Sequence, residues 1–279
     1  MKPSLNPLGL MTSIGSAICW GTFFVPVKKV NVVNILQLQG STGIGVILFA
    51  MPIGFFWGFE ILPSGLLSGA IWTAGNVLAL YSVRLIGLSR TSPFLAGFSI
   101  IVSFLWGILF FGEKFNYLVL AIVAVGLLLA GLPFIASASK ASTVQRKGYF
   151  IATASGILGG SYVIPMQVTH TLQSGFFSSS LSIFAIGIPF IIFSRRWIKR
   201  EIIAGVVSGS LFNLGSLSIL IAIASIGITV AYPISQMATL FAVSWGVLYF
   251  KEIVHKKNVL RVIMGSVMIL SGAVLLSIA

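Results

Sequence analysis

The sequence predicts an all-α membrane protein of ten transmembrane helices, built as two inverted five-helix repeats. Three observations predict it. The 279 residues contain ten apolar runs of roughly 20 residues, the length that crosses a bilayer as a helix. Lysine and arginine concentrate in alternate connections between those runs. The two halves of the chain match one another at a nearly constant offset.

Composition narrows the classes first. Hydrophobic residues make up 57% of the chain and charged residues 8%, with a mean hydropathy of +1.09. A typical soluble domain carries about 25% charged residues. So few charges cannot cover a soluble surface, which excludes a soluble enzyme, a disordered chain and a secreted disulfide scaffold. Cys19 is the one cysteine, so no intramolecular disulfide forms. Four acids face 17 bases, for a net charge of +13. The bases lie in short connections between apolar runs, as membrane topology signals do, and this argues against nucleic acid as a partner.

The first run, residues 8–27, follows only seven residues and has no small-residue cleavage pattern. It reads as a true span rather than a removable signal peptide. Span 2 (35–58) holds Gly40, Gly43 and Gly45, which allow close helix approach, and Gln37 and Gln39 near its inner end, read as interfacial. Span 3 (65–83) places Asn76 near mid-membrane. Span 4 (92–112) contains Pro93 and Trp106 and closes on Gly112 and Glu113. Span 5 (117–136) completes the first half. Span 6 (148–168) has Gly156, Gly159 and Gly160 ahead of Tyr162 and Pro165. Span 7 (175–193) contains Pro189, and span 8 (202–223) places Asn213 near mid-membrane. Span 9 (228–250) contains Pro233 and, about a third of the way along, Gln236. Span 10 is 259–278. The runs are too long, and alternate too little, for a β-barrel.

Fifteen of the 17 bases follow odd-numbered spans: Lys28 and Lys29; Arg84 and Arg90; Lys140, Arg146 and Lys147; Arg195, Arg196, Lys199 and Arg200; Lys251, Lys256, Lys257 and Arg261. Only Lys2 and Lys114 lie elsewhere. Positive charge marks the cytoplasmic side, so the odd connections are expected inside and both termini outside, in a cell membrane.

At an offset of 139, Gly9, Ser16, Ile18, Gly21 and Pro26 align with Gly148, Ser155, Ile157, Gly160 and Pro165. The same offset aligns Trp106, Gly107, Phe111 and Glu113 with Trp245, Gly246, Phe250 and Glu252. Pro93 pairs with Pro233 at 140, and Pro52 with Pro189 at 137. The repeats are therefore 1–139 and 140–279, one integral membrane unit of five spans each. Five is odd, so the second repeat enters the membrane upside down. Such inverted repeats are a transporter architecture with the binding site near the midplane.

The segment GAIWTAGNVLALYSVRLIGLSRTSPFLAGFSIIVSFLWGILFFGE (69–113) resembles spans 3 and 4 of the drug/metabolite transporter superfamily. Trp20 and Gly21 in span 1, and the Gly112–Glu113 closure of span 4, fit that pattern. Within the superfamily the chain is most similar to the bacterial glucose/ribose uptake family, through Gly75 and Asn76, the LIGLS stretch (85–89), and Ser235 and Gln236. The resemblance spans nearly the whole chain and implies sugar transport. One departure is Lys251, where the first repeat has Gly112.

The interior chemistry agrees with a solute that is uncharged and polar, or zwitterionic at most. The chain has no aspartate, and Glu60, Glu113, Glu201 and Glu252 fall at span ends or in connections. Glu113 and Glu252, at the ends of spans 4 and 9, read as solvated rim groups that cap or pair with bases of the connections, rather than as coupling sites. His170, His255 and Cys19 make no plausible metal set, and no interior base activates a serine. An enzyme is not expected, nor any cofactor. Span 1 lacks the acid with which cation-drug antiporters of the superfamily exchange protons. What remains is Trp20, Asn76, Tyr162, Asn213 and Gln236, drawn from both repeats, as candidate substrate-binding residues. Amides donate and accept hydrogen bonds as sugar hydroxyls require, and aromatic faces pack on a sugar ring. The same residues also serve as glue between helices or as plain packing. Pro26, Pro93, Pro165 and Pro233 are candidate hinges, because proline removes a helical hydrogen bond.

The expected activity is transport of a small polar solute, a monosaccharide such as glucose or ribose, by alternating access. An amino-acid or other metabolite exporter of the same fold is the alternative, and a non-transporting membrane scaffold is a third. The expected partners are that solute and membrane lipid, and the sequence leaves a homo-oligomer open.

Overall fold

The structure is a computed structural model that describes residues 6–30, 32–112, 117–138, 142–194, 197–226, 231 and 234–278. The described residues form helices and connections, with no strand among them. Helix α1 is Pro7–Thr22, and Asn6 caps it by accepting the Leu8 N–H at 3.0 Å. After Phe23 and Phe24 the chain resumes as α2, Val25–Lys29. Pro26 explains the interruption: its ring clashes with the carbonyl four residues back, on Thr22, and brings no N–H to it.

Helix α3 is Ile35–Trp57, started by Asn34 accepting the Gln37 N–H and ended by Gly58 at φ +93°. Helix α4, Pro63–Ile86, begins on proline and ends at Gly87. Helix α5 follows at once, Leu88–Leu109, with Pro93 inside it. Helix α6 is Leu118–Ala136. Helix α7, Thr143–Ser161, is capped by Ser142, and α8, Ile164–Val168, follows a second interruption. Here Pro165 stands four residues after Ser161, as Pro26 stands four after Thr22. Helices α9 and α10 are Gly175–Ile192 and Lys199–Ile226. Helix α11 is Ala238–Ser244, continued by a π-turn over Trp245–Tyr249, and α12 is Lys256–Ile278.

Nine stretches of described helix are long and apolar enough to cross a membrane: Pro7–Lys29, Ile35–Trp57, Pro63–Ile86, Leu88–Leu109, Val119–Ala136, Thr143–Val168, Gly175–Ile192, Lys199–Ile226 and Lys256–Leu276. They coincide with nine of the ten apolar runs. The tenth run, 228–250, is represented by the shorter apolar helix Ala238–Tyr249, and residues 227–230, 232 and 233 lie outside the described residues. Helix α7 starts earlier than its apolar run because the Ser142 cap sets its origin, which puts Arg146 and Lys147 in its first turns.

The interior mixes large apolar side chains such as Leu38, Leu128 and Ile135 with fully buried polar ones such as Ser13, Gln37, Gln39 and Ser68, while Phe55, Phe56, Leu109 and Phe193 are each 78–84% exposed. A large apolar exterior suits hydrocarbon, where close backbone approach and interhelical hydrogen bonds hold helices together. At the α3–α9 crossing Gly40 faces Gly187, and a Cβ on Gly40 would come within 2.5 Å of the Gly187 carbonyl.

The contacts between helices come in related pairs. Helix α3 packs on α10 while α9 packs on α4; α4 packs on α7 while α10 packs on α1; α5 packs on α7 while α11 packs on α1. Helix α3 also packs on α9, and α6 on α12. The Lys/Arg-rich connections meet at one end of the bundle. There Lys28 pairs with Glu252, Glu201 meets Val33 and Asn34, Gly148 abuts Ile86, and Arg261 donates to the Ser137 carbonyl.

Candidate functional site

Two primary amides meet in the interior. Asn76, on α4, donates through Nδ2 to Gln39 Oε1, on α3, at 2.6 Å. Gln39 is fully buried and Asn76 is 7% exposed. Gln39 lies only four residues into α3 and Asn76 mid-way along α4, and the fold brings them together. The place of Gln39 near the end of span 2 suggests an interfacial residue, but Gln39 is buried and bonded to Asn76. Gln39 Nε2 has no hydrogen-bond partner among the described residues. A buried donor left unmade costs about 1–3 kcal/mol.

An aromatic cluster stands beside the amides. Trp72 lies one turn before Asn76, on the same face of α4. Its ring stacks on Phe212 of α10 with centroids 4.2 Å apart, and Tyr162 packs on the same cluster with Val46 and Ile183. Phe23, in the α1–α2 interruption, extends the cluster to Phe212 at 5.9 Å. Tyr162 itself occupies the α7–α8 interruption. Among the described residues no three His, Cys, Asp or Glu side chains converge as a metal site would need.

The other sequence-predicted residues have different surroundings. Asn213 Nδ2 donates to the Val46 carbonyl at 2.9 Å and to Ser180 Oγ at 3.1 Å, tying α10 to α3 and α9. Trp20 Nε1 donates to the Phe212 carbonyl at 3.2 Å, and its ring lies over Gly215. Gln236 is half-buried in the turn that leads into α11. Pro26 and Pro165 stand at the two interruptions and Pro93 inside α5, while Pro233 lies outside the described residues.

Residues 11–279 match the family model described as sugar transport protein. The chain belongs to the sugar transport protein family. Among its relatives is a protein of Latilactobacillus sakei provisionally named a ribose uptake protein, 27% identical over 94% of each chain. Another, from Lactiplantibacillus plantarum, is provisionally named a sugar uptake protein and is 24% identical over 97% of this chain and 99% of its own. A Bacillus anthracis protein with the same provisional name is also 24% identical, over 96% of this chain. A solved crystal structure aligns with 96% of this chain and 95% of its own at a TM-score of 0.56 and 13% identity, which shows a shared fold.

In this sugar transport family member the basic end is fastened by two carboxylates. Glu252 accepts the Leu88 N–H and the Ser89 N–H, each at 2.8 Å, and the Ser89 hydroxyl at 2.6 Å; Lys28 Nζ lies 3.3 Å away. It pairs with a base of a connection as its place at a span end suggests, but its side chain is 7% exposed, so the pair is a buried clasp and not a solvated one. Glu201, fully buried, accepts the Val33 and Asn34 N–H groups. Glu113 lies outside the described residues. At the same end a groove of about 750 Å³ is lined by Asn34, Leu36, Tyr81, Arg84, Ile198 and Arg200. Two indoles hold the interrupted helices: Trp245 Nε1 donates to Thr22 Oγ1 at 3.1 Å, and Trp106 Nε1 to Ser161 Oγ at 3.0 Å.

Proposed function

We propose that this protein carries a monosaccharide of the glucose or ribose kind across the cell membrane by alternating access. The observation that carries the substrate class is the family match over residues 11–279. The uptake names of the relatives point the same way. The interior adds physical support: uncharged amides and an aromatic cluster suit hydroxyls and a sugar ring, and offer nothing to neutralise a charged solute.

In this reading the chain has ten spans in two inverted repeats, with the basic end in the cytoplasm and both termini outside. The paired contacts support it, since exchanging the halves converts α3–α10 into α9–α4 and α4–α7 into α10–α1. The two indole bonds support it too: Trp106 and Trp245, and Ser161 and Thr22, are each separated by 139 residues. Lys251 and Gly112 stand at that same offset and both adopt a left-handed backbone, at φ +50° and +64°. In this proposal Asn76, Tyr162 and Gln236 touch the solute. Trp20 and Asn213 hold helices around it, because their polar hydrogens are already engaged. Pro26, Pro93, Pro165 and Pro233 mark the hinges.

The test is uptake by proteoliposomes offered labelled monosaccharides and amino acids in parallel. The expected result is saturable entry of one or more sugars. Entry of amino acids alone overturns the substrate class.

A further inference from the structure

Resting on the sugar-transport reading, we infer that Gln39 and Asn76 act as one unit that reads two neighbouring hydroxyls of the sugar, with Gln39 supplying the donor. A primary amide offers two N–H donors and one carbonyl acceptor. In the pair, one Asn76 N–H is consumed by the Gln39 carbonyl. Among the described residues Gln39 Nε2 has no hydrogen-bond partner, in a side chain with no exposure. Asn76 Oδ1 accepts no hydrogen bond among the described residues. The unit thus leaves the Gln39 Nε2 donors and the Asn76 Oδ1 acceptor unused among the described residues. A hydroxyl accepts from the first and donates to the second, and a vicinal diol does both with two oxygens.

Asn213 provides the contrast inside the same molecule. It too is a buried amide between helices, and its Nδ2 makes two hydrogen bonds, to Val46 and Ser180. There the amide nitrogen is spent on bonds between helices. The Gln39 amide is held by one bond on its carbonyl and left open on its nitrogen. The surroundings give the rest of the ligand's chemistry. Trp72, on the same face of α4 as Asn76, and its neighbour Phe212 offer an aromatic surface for the C–H face of a ring. The ligand class is a neutral aldose with adjacent free hydroxyls.

The experiment measures uptake of labelled D-glucose and D-ribose by proteoliposomes, with unlabelled parent sugars and their monodeoxy analogues as competitors. In the natural protein at least one monodeoxy analogue should compete about tenfold or more weakly than its parent, because the missing hydroxyl leaves the site's polar groups unpaired. In Gln39→Leu that ratio should fall to about one, with the parent weakened and the analogue unchanged. Loss of uptake with the ratio preserved means that Gln39 only supports the fold and overturns the proposal. Should Gln39→Leu fail to fold, the natural protein still decides: equal competition by every monodeoxy analogue overturns it. If neither sugar enters at all, the functional reading falls and takes this proposal with it. If sugars enter without hydroxyl discrimination, this proposal falls alone.

Discussion

Lys251 holds a left-handed backbone at φ +50°, a conformation that costs a residue with a Cβ about 1–2 kcal/mol and costs glycine nothing. Its counterpart Gly112 adopts φ +64°. The substitution between the repeats is therefore a local penalty on a shared turn and not a different turn. Lys251→Gly should stabilise the protein by about 1 kcal/mol, read as a higher melting temperature in detergent. Gly87 is the opposite case. Its φ of +86° belongs to glycine, and an added Cβ would lie 2.7 Å from the Glu252 carboxylate. Gly87→Ala should lose at least about 2 kcal/mol in the same measurement. Equal melting of Gly87→Ala and the natural protein would contradict the clasp geometry. Neither Glu252 nor Gln39 was legible at this scale. Their partners Leu88, Ser89 and Asn76 lie on other helices, up to 164 residues away, and nothing local in the sequence reports a donor brought in by folding.

At the scale of elements, the interruptions in α1–α2 and α7–α8 are where the bundle can bend. Each follows from one proline, and each offers a hydroxyl, Thr22 or Ser161, to an indole of another helix. Trp245–Thr22 lies toward the basic end and Trp106–Ser161 toward the other, so the two bonds hold opposite sides. Removing one is worth about 1 kcal/mol, a factor of about five in a two-state balance. Spin labels at positions 29 and 251, with Cys19 replaced by serine, report the width of the basic end. Trp245→Phe should raise the wide population there about fivefold, and Trp106→Phe should lower it. The same shift in both variants would mean that the indoles do not act on opposite sides. The elements themselves were largely legible, because 20-residue apolar runs and prolines four residues past a helix end act locally. The span at 228–250 was less so: its described part is a twelve-residue helix with a π-turn, a detail that hydropathy does not carry.

At the scale of the whole molecule, contacts among the described residues link the basic connections to one another at one end. The polar groups between the ends are amides and hydroxyls. An ion drives a carrier only by interacting differently with its two states. Among the described residues, the buried carboxylates Glu201 and Glu252 are both engaged by backbone N–H groups at the basic end, and neither is hydrogen-bonded to the amide pair. Sugar should therefore equilibrate at the same rate with or without an imposed pH gradient across proteoliposomes. Uphill accumulation driven by that gradient, lost in Glu252→Gln, would assign that carboxylate to coupling.

The central claim is that one sugar site is exposed to the two sides of the membrane in turn. Counterflow tests it most directly. Proteoliposomes are loaded with unlabelled sugar and diluted into a trace of the labelled sugar. A carrier with an alternating site returns labelled sugar inward after each outward turnover, so label should rise transiently above its equilibrium level and then decay. A monotonic approach to equilibrium with no overshoot, or no entry of label at all, would contradict the account.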